Sequence, residues 1–164
     1  MQGGGAERVA AVLSNHWVER GHQVTLMPTF SGRGECLYTL DERVRFDYLA
    51  DRVRGRGRSP LNKLRRMTAL RRAIRELAPD VIVSFLPHVN VAAIIAARGL
   101  GGPVVVSERS YPPALPVGWV LAALRRLAYR RADAVVVQTQ QAREWLTLCC
   151  PGTKGRVIGN AVVY

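Results

Sequence analysis

Acidic residues are scarce in this chain: 12 Asp and Glu stand against 24 Lys and Arg, a formal net charge of +12 over 164 residues. Such an imbalance draws anionic partners, whether phosphorylated substrates, anionic lipid or nucleic acid. Cysteine is nearly absent. Cys36, Cys149 and Cys150 are odd in number and form no CxxC or Cys/His spacing, which argues against a disulfide scaffold and a zinc site and fits a reducing cytoplasm. Cys149 and Cys150 read as small apolar residues near a helix end. No apolar run approaches the ~20 residues of a membrane span; the longest candidate, from Ala114 to Leu124, is interrupted by Pro116 and Gly118. The glycine-rich, polar N-terminus, followed at once by Glu7 and Arg8, lacks the apolar core of a signal peptide. Internal repeats and low-complexity tracts are missing, as are a Ser/His/Asp arrangement and a carboxylate pair that can be placed together.

What is present is enough apolar content, 48%, for the core of one domain. Helical and strand patterns alternate. Val9, Leu13 and Trp17 predict a helix over Ala6 to Arg20, stopped by Gly21. Strands are expected over His22 to Met27 and Val44 to Leu49, with a loop at Ser31 to Glu35 and a mobile arginine- and glycine-rich stretch at Asp51 to Ser59. Ser59 and Pro60 open a second helix whose buried stripe is expected at Leu64, Met67, Leu70 or Arg71, Ile74 and Leu77. A buried strand at Asp80 to Phe85 follows. Next come a helix from about Asn90 to Arg98, a strand at Pro103 to Ser107, and a helix that runs to about Arg131. The pattern ends with a strand at Ala134 to Gln138, a helix at Gln140 to Leu148 and a short strand at Arg156 to Ile158. The alternation predicts an α/β fold with a doubly wound, mostly parallel, Rossmann-like sheet.

Ligands of such sheets bind beyond the carboxyl ends of the strands. This directs attention to the loop Gly3-Gly4-Gly5, to Pro87-His88-Val89-Asn90, to Ser107-Glu108-Arg109-Ser110 and to Thr139. The glycine loop is neither a GxGxxG fingerprint nor a Walker loop, and Met27-Pro28-Thr29 offers no acid for a ribose, so a nicotinamide or flavin site is disfavoured. The loop remains able to touch a phosphate or sugar through its backbone; a structural tight turn is the alternative. His88 is suited to hydrogen-bond a substrate hydroxyl or to act as a base, or else is a surface loop histidine. Asn90 reads most simply as a helix N-cap. Arg109 can clamp a phosphate and Glu108 can accept from a sugar hydroxyl; the competing reading is a salt-bridged pair that fixes the proline loop. Basic residues crowd two segments: Arg52 to Arg75, which contains no acid, and Arg125, Arg126, Arg130 and Arg131. With Trp119 and Tyr129 the second cluster suits a bilayer interface, whereas a solvated face opposite a buried stripe is the commoner arrangement.

Taken in order, these pieces resemble the N-terminal half of family-4 glycosyltransferases of the GT-B fold, in the bacterial polysaccharide-assembly branch related to amylovoran biosynthesis. The resemblance is carried by Gly3-Gly4-Gly5-Ala6-Glu7-Arg8-Val9, Arg20-Gly21-His22-Gln23-Val24-Thr25-Leu26 and Pro79-Asp80-Val81-Ile82-Val83-Ser84-Phe85. It continues through Pro87-His88-Val89-Asn90, Ser107-Glu108-Arg109-Ser110, Ala132-Asp133-Ala134-Val135-Val136-Val137-Gln138-Thr139 and Val157-Ile158-Gly159-Asn160. In that family two Rossmann-like domains face each other across a cleft. The resemblance implies that residues 1–158 form the acceptor-side domain and that 159–164 begin a linker to a donor-binding domain outside this sequence. It implies a nucleotide-sugar donor as co-substrate, no cofactor and no metal, and transfer with retention to a glycan or lipid-linked acceptor. Gly4 and Gly5 are expected at the donor diphosphate, His88 as the catalytic residue beside sugar and acceptor, and Asn90, Glu108 and Arg109 at the acceptor. Lys63, Arg65, Arg66, Arg72, Arg125 and Arg126 are expected to face a membrane, which places the protein in the cytoplasm, peripheral on the inner face of the plasma membrane.

Two departures from the family pattern stand out. No strand precedes the glycine loop, and Gly159-Asn160 stands where the family reads Pro-Asn. This chain alone is expected not to catalyse transfer. The alternative function is a basic α/β module that binds nucleic acid or an anionic membrane surface. Nucleic acid is the less expected partner, because no helix-turn-helix, zinc module or set of exposed aromatics is evident.

Overall fold

The computed structural model describes residues 4–29, 38–53 and 59–160. Gly3, the loop expected at 31–35, Cys36, the arginine-glycine stretch 54–58 and residues 161–164 lie outside them. The fold is α/β with parallel sheets, and the chain divides into two compact units, Met1–Ala69 and Leu70–Tyr164.

In the first unit, helix α1 (Gly5–Glu19) packs through small residues, with Ala6, Ala10, Ala11, Ser14 and Val18 buried. It ends as its sequence predicts. Gly21 adopts φ 86, which a Cβ would oppose, while His22 N–H donates to Trp17 O at 3.0 Å and Gly21 N–H to Val18 O at 3.0 Å. These two bonds make a Schellman closure. Strands β1 (Thr25–Leu26) and β2 (Arg45–Phe46) pair in parallel, a ladder shorter than the alternating segments suggested. Asn15 ties α1 to the segment before β2: its Nδ2 donates to Thr39 O at 3.0 Å and its Oδ1 accepts from Asp41 N–H at 2.9 Å.

Helix α2 (Pro60–Leu77) carries the boundary between the units. Ser59 Oγ accepts from Asn62 N–H at 3.2 Å, so the expected cap and the proline at the first helical position are both present. The buried face differs from the expected stripe. Asn62, Ala69, Leu70, Ala73 and Ile74 are buried, whereas Leu64 is 60% exposed. Leu70 and Ile74 are buried as expected, and Ala69 and Ala73 complete the face, a signal that a stripe counted from large residues overlooks.

The second unit holds a four-stranded parallel sheet in the order β3 (Ile82–Phe85), β4 (Val104–Ser107), β5 (Ala134–Val137), β6 (Gly155–Val157). Its register runs Val83↔Val105, Val106↔Val135 and Val136↔Arg156. Val106 and Val135 are fully buried, each contributing about 1.5–3 kcal/mol by leaving water. Helices α3 (Pro87–Ala97), α4 (Trp119–Ala128) and α5 (Gln140–Cys149) make the three crossovers. Helix α3 begins three residues earlier than expected, with Pro87 in its first turn and Leu86 as cap at φ 76. Asn90 is therefore inside the helix, not its N-cap. Helix α4 passes at Tyr129 into a 3-10 turn, Tyr129–Arg131. Thr139 caps α5, its Oγ1 accepting from Ala142 N–H at 3.1 Å. Among the described residues no helix is long and apolar enough to cross a membrane.

Candidate functional site

The glycine loop belongs to the first unit. Gly4 is the extended N-cap of α1, and its carbonyl accepts from Arg8 N–H and from the Tyr38 hydroxyl, both at 3.1 Å. A Cβ added at Gly4 would collide with Glu7 Oε2, whereas nothing lies within 4 Å of one added at Gly5. A carboxylate thus already stands in the first turn of α1, where the helix dipole favours negative charge, and Gly5 presents the open part of the loop.

The other candidates gather at the carboxyl ends of β3, β4 and β5 in the second unit, around a buried chain of hydrogen bonds. Ser84, on β3, donates from its hydroxyl to Asn90 Oδ1 at 2.9 Å. Asn90 Nδ2 donates to Ser107 O at 3.1 Å and to the Tyr129 hydroxyl at 3.0 Å. Tyr129 in turn donates to Glu108 Oε1. Arg125 supplies the positive charge, its Nη1 lying 3.7 Å from the same oxygen, and its guanidinium stacks 4.6 Å from the centre of the Trp145 ring. The bonds Ser84 to Asn90 to Tyr129 to Glu108 all run towards the carboxylate, so each polarises the next. Burial pushes the Glu108 carboxyl up, against the opposing pull of the Tyr129 hydroxyl and the Arg125 charge. Burial and the neighbouring Glu108 charge hold the Tyr129 phenol far above its ordinary value.

This arrangement corrects three expectations. Asn90 is 0% exposed and Glu108 1% exposed. Their polar groups are engaged inside the protein, so neither touches an acceptor directly. Arg125 is 6% exposed and faces Glu108, not a membrane; a buried guanidinium needs a counter-charge, and Glu108 provides it. Tyr129, grouped with the interfacial aromatics by sequence, is fully buried. The signal for this was available: Arg125 and Tyr129 are four residues apart at the end of one helix and therefore share a face.

His88 and Arg109 lie outside this buried chain of hydrogen bonds. His88 lies on the first turn of α3, and partial desolvation lowers its imidazole pKa. Arg109 is half-buried, and that burial lowers its guanidinium somewhat without discharging it. Its Nη2 donates to Asn160 Oδ1, which also accepts from Gln138 Nε2 at 2.9 Å, and Gln138 Nε2 is 3.1 Å from Arg109 O. These contacts fasten the chain that leaves β6 to the loop after β4. Ser107 Oγ and Arg109 Nε are buried with no hydrogen-bond partner among the described residues, leaving donor capacity at the end of β4.

The basic residues divide. Lys63, Arg65, Arg72 and Arg126 are exposed, whereas Arg66 is half-buried and donates to the Thr29 carbonyl. Helix α4 turns apolar side chains outward: Trp119 is 84% exposed, and Val120, Leu124 and Leu127 are exposed beside it. A groove of about 330 Å³ lies at the opposite, amino ends of β3 and β4, lined by Ile74, Arg75, Pro79, Asp80, Leu100 and Pro103 among others. It contains none of the predicted site residues. Among the described residues no group of three or more His, Cys, Asp or Glu side chains could hold a metal ion.

Comparison with known proteins adds to this geometry. Residues 4–161 match the glycosyl transferase 4-like domain family. A Campylobacter jejuni relative, GalNAc-alpha-(1->4)-GalNAc-alpha-(1->3)-diNAcBac-PP-undecaprenol alpha-1,4-N-acetyl-D-galactosaminyltransferase, is 34% identical over 146 residues, covering 84% of this chain and 37% of the relative. A Rhodospirillum rubrum relative, UDP-N-acetylglucosamine--N-acetylmuramyl-(pentapeptide) pyrophosphoryl-undecaprenol N-acetylglucosamine transferase, is 32% identical over 140 residues, covering 80% of this chain and 35% of the relative. A protein of the same name from Rhodospirillum centenum is 29% identical over 129 residues, covering 77% and 32%. The chain thus spans about a third of the length of the curated relatives it matches.

Proposed function

Since this chain belongs to the glycosyl transferase 4-like family, we propose that it is the acceptor side of a retaining glycosyltransferase. In this reading a sugar moves from a nucleotide-sugar donor to a glycan carried on a lipid diphosphate, at the cytoplasmic face of a membrane, in polysaccharide assembly. The observation that carries the reading is the family match over residues 4–161 together with relatives whose names specify undecaprenol-linked acceptors. The 164 residues correspond to about a third of those relatives, so residues 1–158 are assigned the acceptor role, and donor binding is assigned to a further domain.

Each remaining candidate takes a role its chemistry supports. The N–H groups that open α1, with Gly5 the uncovered glycine, face the donor diphosphate and stabilise its charge as the glycosidic bond breaks. The imidazole of His88 hydrogen-bonds a sugar or acceptor hydroxyl. Arg109 meets phosphate oxygens of the acceptor. The outward apolar stripe of α4, with exposed Arg126, Arg130 and Arg131 at its end, rests on the lipid surface; the exposed Lys63, Arg65 and Arg72 of α2 each attract anionic headgroups.

The test is sedimentation of the 164-residue protein with vesicles of phosphatidylglycerol and phosphatidylethanolamine, with and without an undecaprenyl-diphosphate-linked sugar. Binding is expected to weaken as salt rises, to tighten when the lipid-linked sugar is present, and to lose that increment in Arg109→Ala. Equal retention on neutral phosphatidylcholine vesicles, or indifference to the lipid-linked sugar, overturns the reading. Salt-sensitive binding to duplex DNA without vesicle binding favours the nucleic-acid module instead.

A further inference from the structure

The buried chain from Ser84 to Arg125 has a composition that stability alone does not favour. A carboxylate, a phenol, a carboxamide and a guanidinium occupy space that leucine and phenylalanine would fill without desolvating charge, and exchanging such groups for apolar ones is often neutral or stabilising. What the polar version gains is geometry. The hydroxyl, carboxamide, phenol and carboxylate pair in one arrangement, which holds the elements that carry them in one register, while Arg125 Nε is buried with no hydrogen-bond partner among the described residues.

The elements are those of the candidate site. His88 lies two residues before Asn90 on α3, and Arg109 immediately follows Glu108. Tyr129, from the 3-10 turn after α4, joins the two: its hydroxyl accepts from Asn90 Nδ2 at 3.0 Å and donates to Glu108 Oε1. A second, independent observation is backbone strain next to His88. Leu86 is held at φ 76, a conformation that a side chain opposes. Strain of this kind persists only where the surroundings over-determine it. Asn90 supplies that restraint twice, through its N–H to Leu86 O at 2.8 Å and through its side chain to Ser84, Ser107 and Tyr129.

We propose that Tyr129 is a positioning residue whose hydroxyl sets the orientation of His88 and Arg109 by fixing their chain neighbours Asn90 and Glu108. The assignment rests on the function proposed above for what His88 and Arg109 bind, but not for how they are held. Its test therefore needs neither ligand nor transfer, and failure of the functional reading leaves it standing.

The experiment compares the isotopically labelled 164-residue protein with Tyr129→Phe by NMR, alongside urea unfolding. Tyr129→Phe is expected to fold. The His88 imidazole resonances are expected to shift as the first turn of α3 loses its fixed register. The buried Arg109 Nε–H is expected to exchange with water about tenfold faster, because loss of the Tyr129–Glu108 bond loosens the loop that buries it. A folded Tyr129→Phe protein with both signals unchanged overturns the proposal. Should that variant fail to fold, Ser84→Ala decides: it removes one bond to Asn90 and leaves both bonds of the Tyr129 hydroxyl in place, so the proposal requires both signals to remain as in the parent protein. Movement of either signal in a folded Ser84→Ala protein overturns it.

Discussion

Helices α2 and α4 are written from much the same residues, arginine mixed with leucine and alanine, and they fold with opposite faces outward. Helix α2 buries Ala69, Leu70, Ala73 and Ile74 and gives Lys63, Arg65, Arg72 and Arg75 to solvent. Helix α4 buries Arg125 and exposes Trp119, Val120, Leu124 and Leu127. The number of basic residues on a helix thus says little about which face meets a partner. The deciding factor is what the rest of the domain offers to the inward side. Small apolar neighbours draw in alanine, and the buried carboxylate of Glu108 draws in a guanidinium.

The comparison can be broken most severely at Arg125. Arg125→Met leaves Glu108 buried without its counter-charge and is expected to cost about 3–5 kcal/mol at neutral pH, read as a fall in the urea midpoint. Arg126→Ala, one residue further on the exposed side, is expected to change stability by no more than about 0.5 kcal/mol. Equal costs would mean that the inward face of α4 is not set by the ion pair. At Trp119 the effect shifts from stability to binding. Trp119→Ala is expected to leave the unfolding midpoint in place and to weaken vesicle binding about tenfold, as loss of one buried aromatic from an interfacial helix allows.

A gentler probe is pH. The folded state holds the Glu108 proton more tightly than the unfolded chain does, because burial raises its pKa. Stability therefore falls as pH rises from the ordinary carboxylate range through the raised value, and Glu108→Gln is expected to flatten that slope in urea titrations above pH 4.5. Asp41 has the opposite sign. Its hydrogen bonds with Arg43 lower its pKa from 3.8 to about 2, so its contribution is present above 3.8 and is lost as pH falls towards 2. The smallest effect is expected on α2. Arg72 and Glu76 form an exposed pair at 2.7 Å, and Arg72→Ala is expected to shift stability by less than about 0.5 kcal/mol. A larger loss would show that surface charge on α2 supports the fold.

Much of this arrangement was legible in the sequence, and the limits have physical causes. Val81-Ile82-Val83 and the valines of β4 and β5 announced buried parallel strands, because few other environments accept such runs. Gly21 and Ser59 fixed helix ends through local backbone chemistry. The start of α3 was misplaced because Pro87 opens the helix directly after a strained Leu86, and the strain comes from packing, not from local preference. At the site, strand-end position pointed to His88 and Arg109, which lie on the first turn of α3 and just after β4. It could not show that Asn90 and Glu108 turn inward, because that depends on Tyr129, which lies 39 residues from one and 21 from the other. Long-range partners of buried polar groups leave no periodic trace.

The sheet of the second unit has a consequence for how the protein comes into being. Its strands stand in the order in which the ribosome delivers them, β3, β4, β5, β6, each hydrogen-bonded to the one made just before. No strand waits for a distant partner, so loop-closure entropy stays low at every step and the ladder can grow one crossover at a time. The last addition, β6, brings Asn160 to Arg109 and Gln138, so the final stitch of the sheet also fastens the loop that carries Arg109.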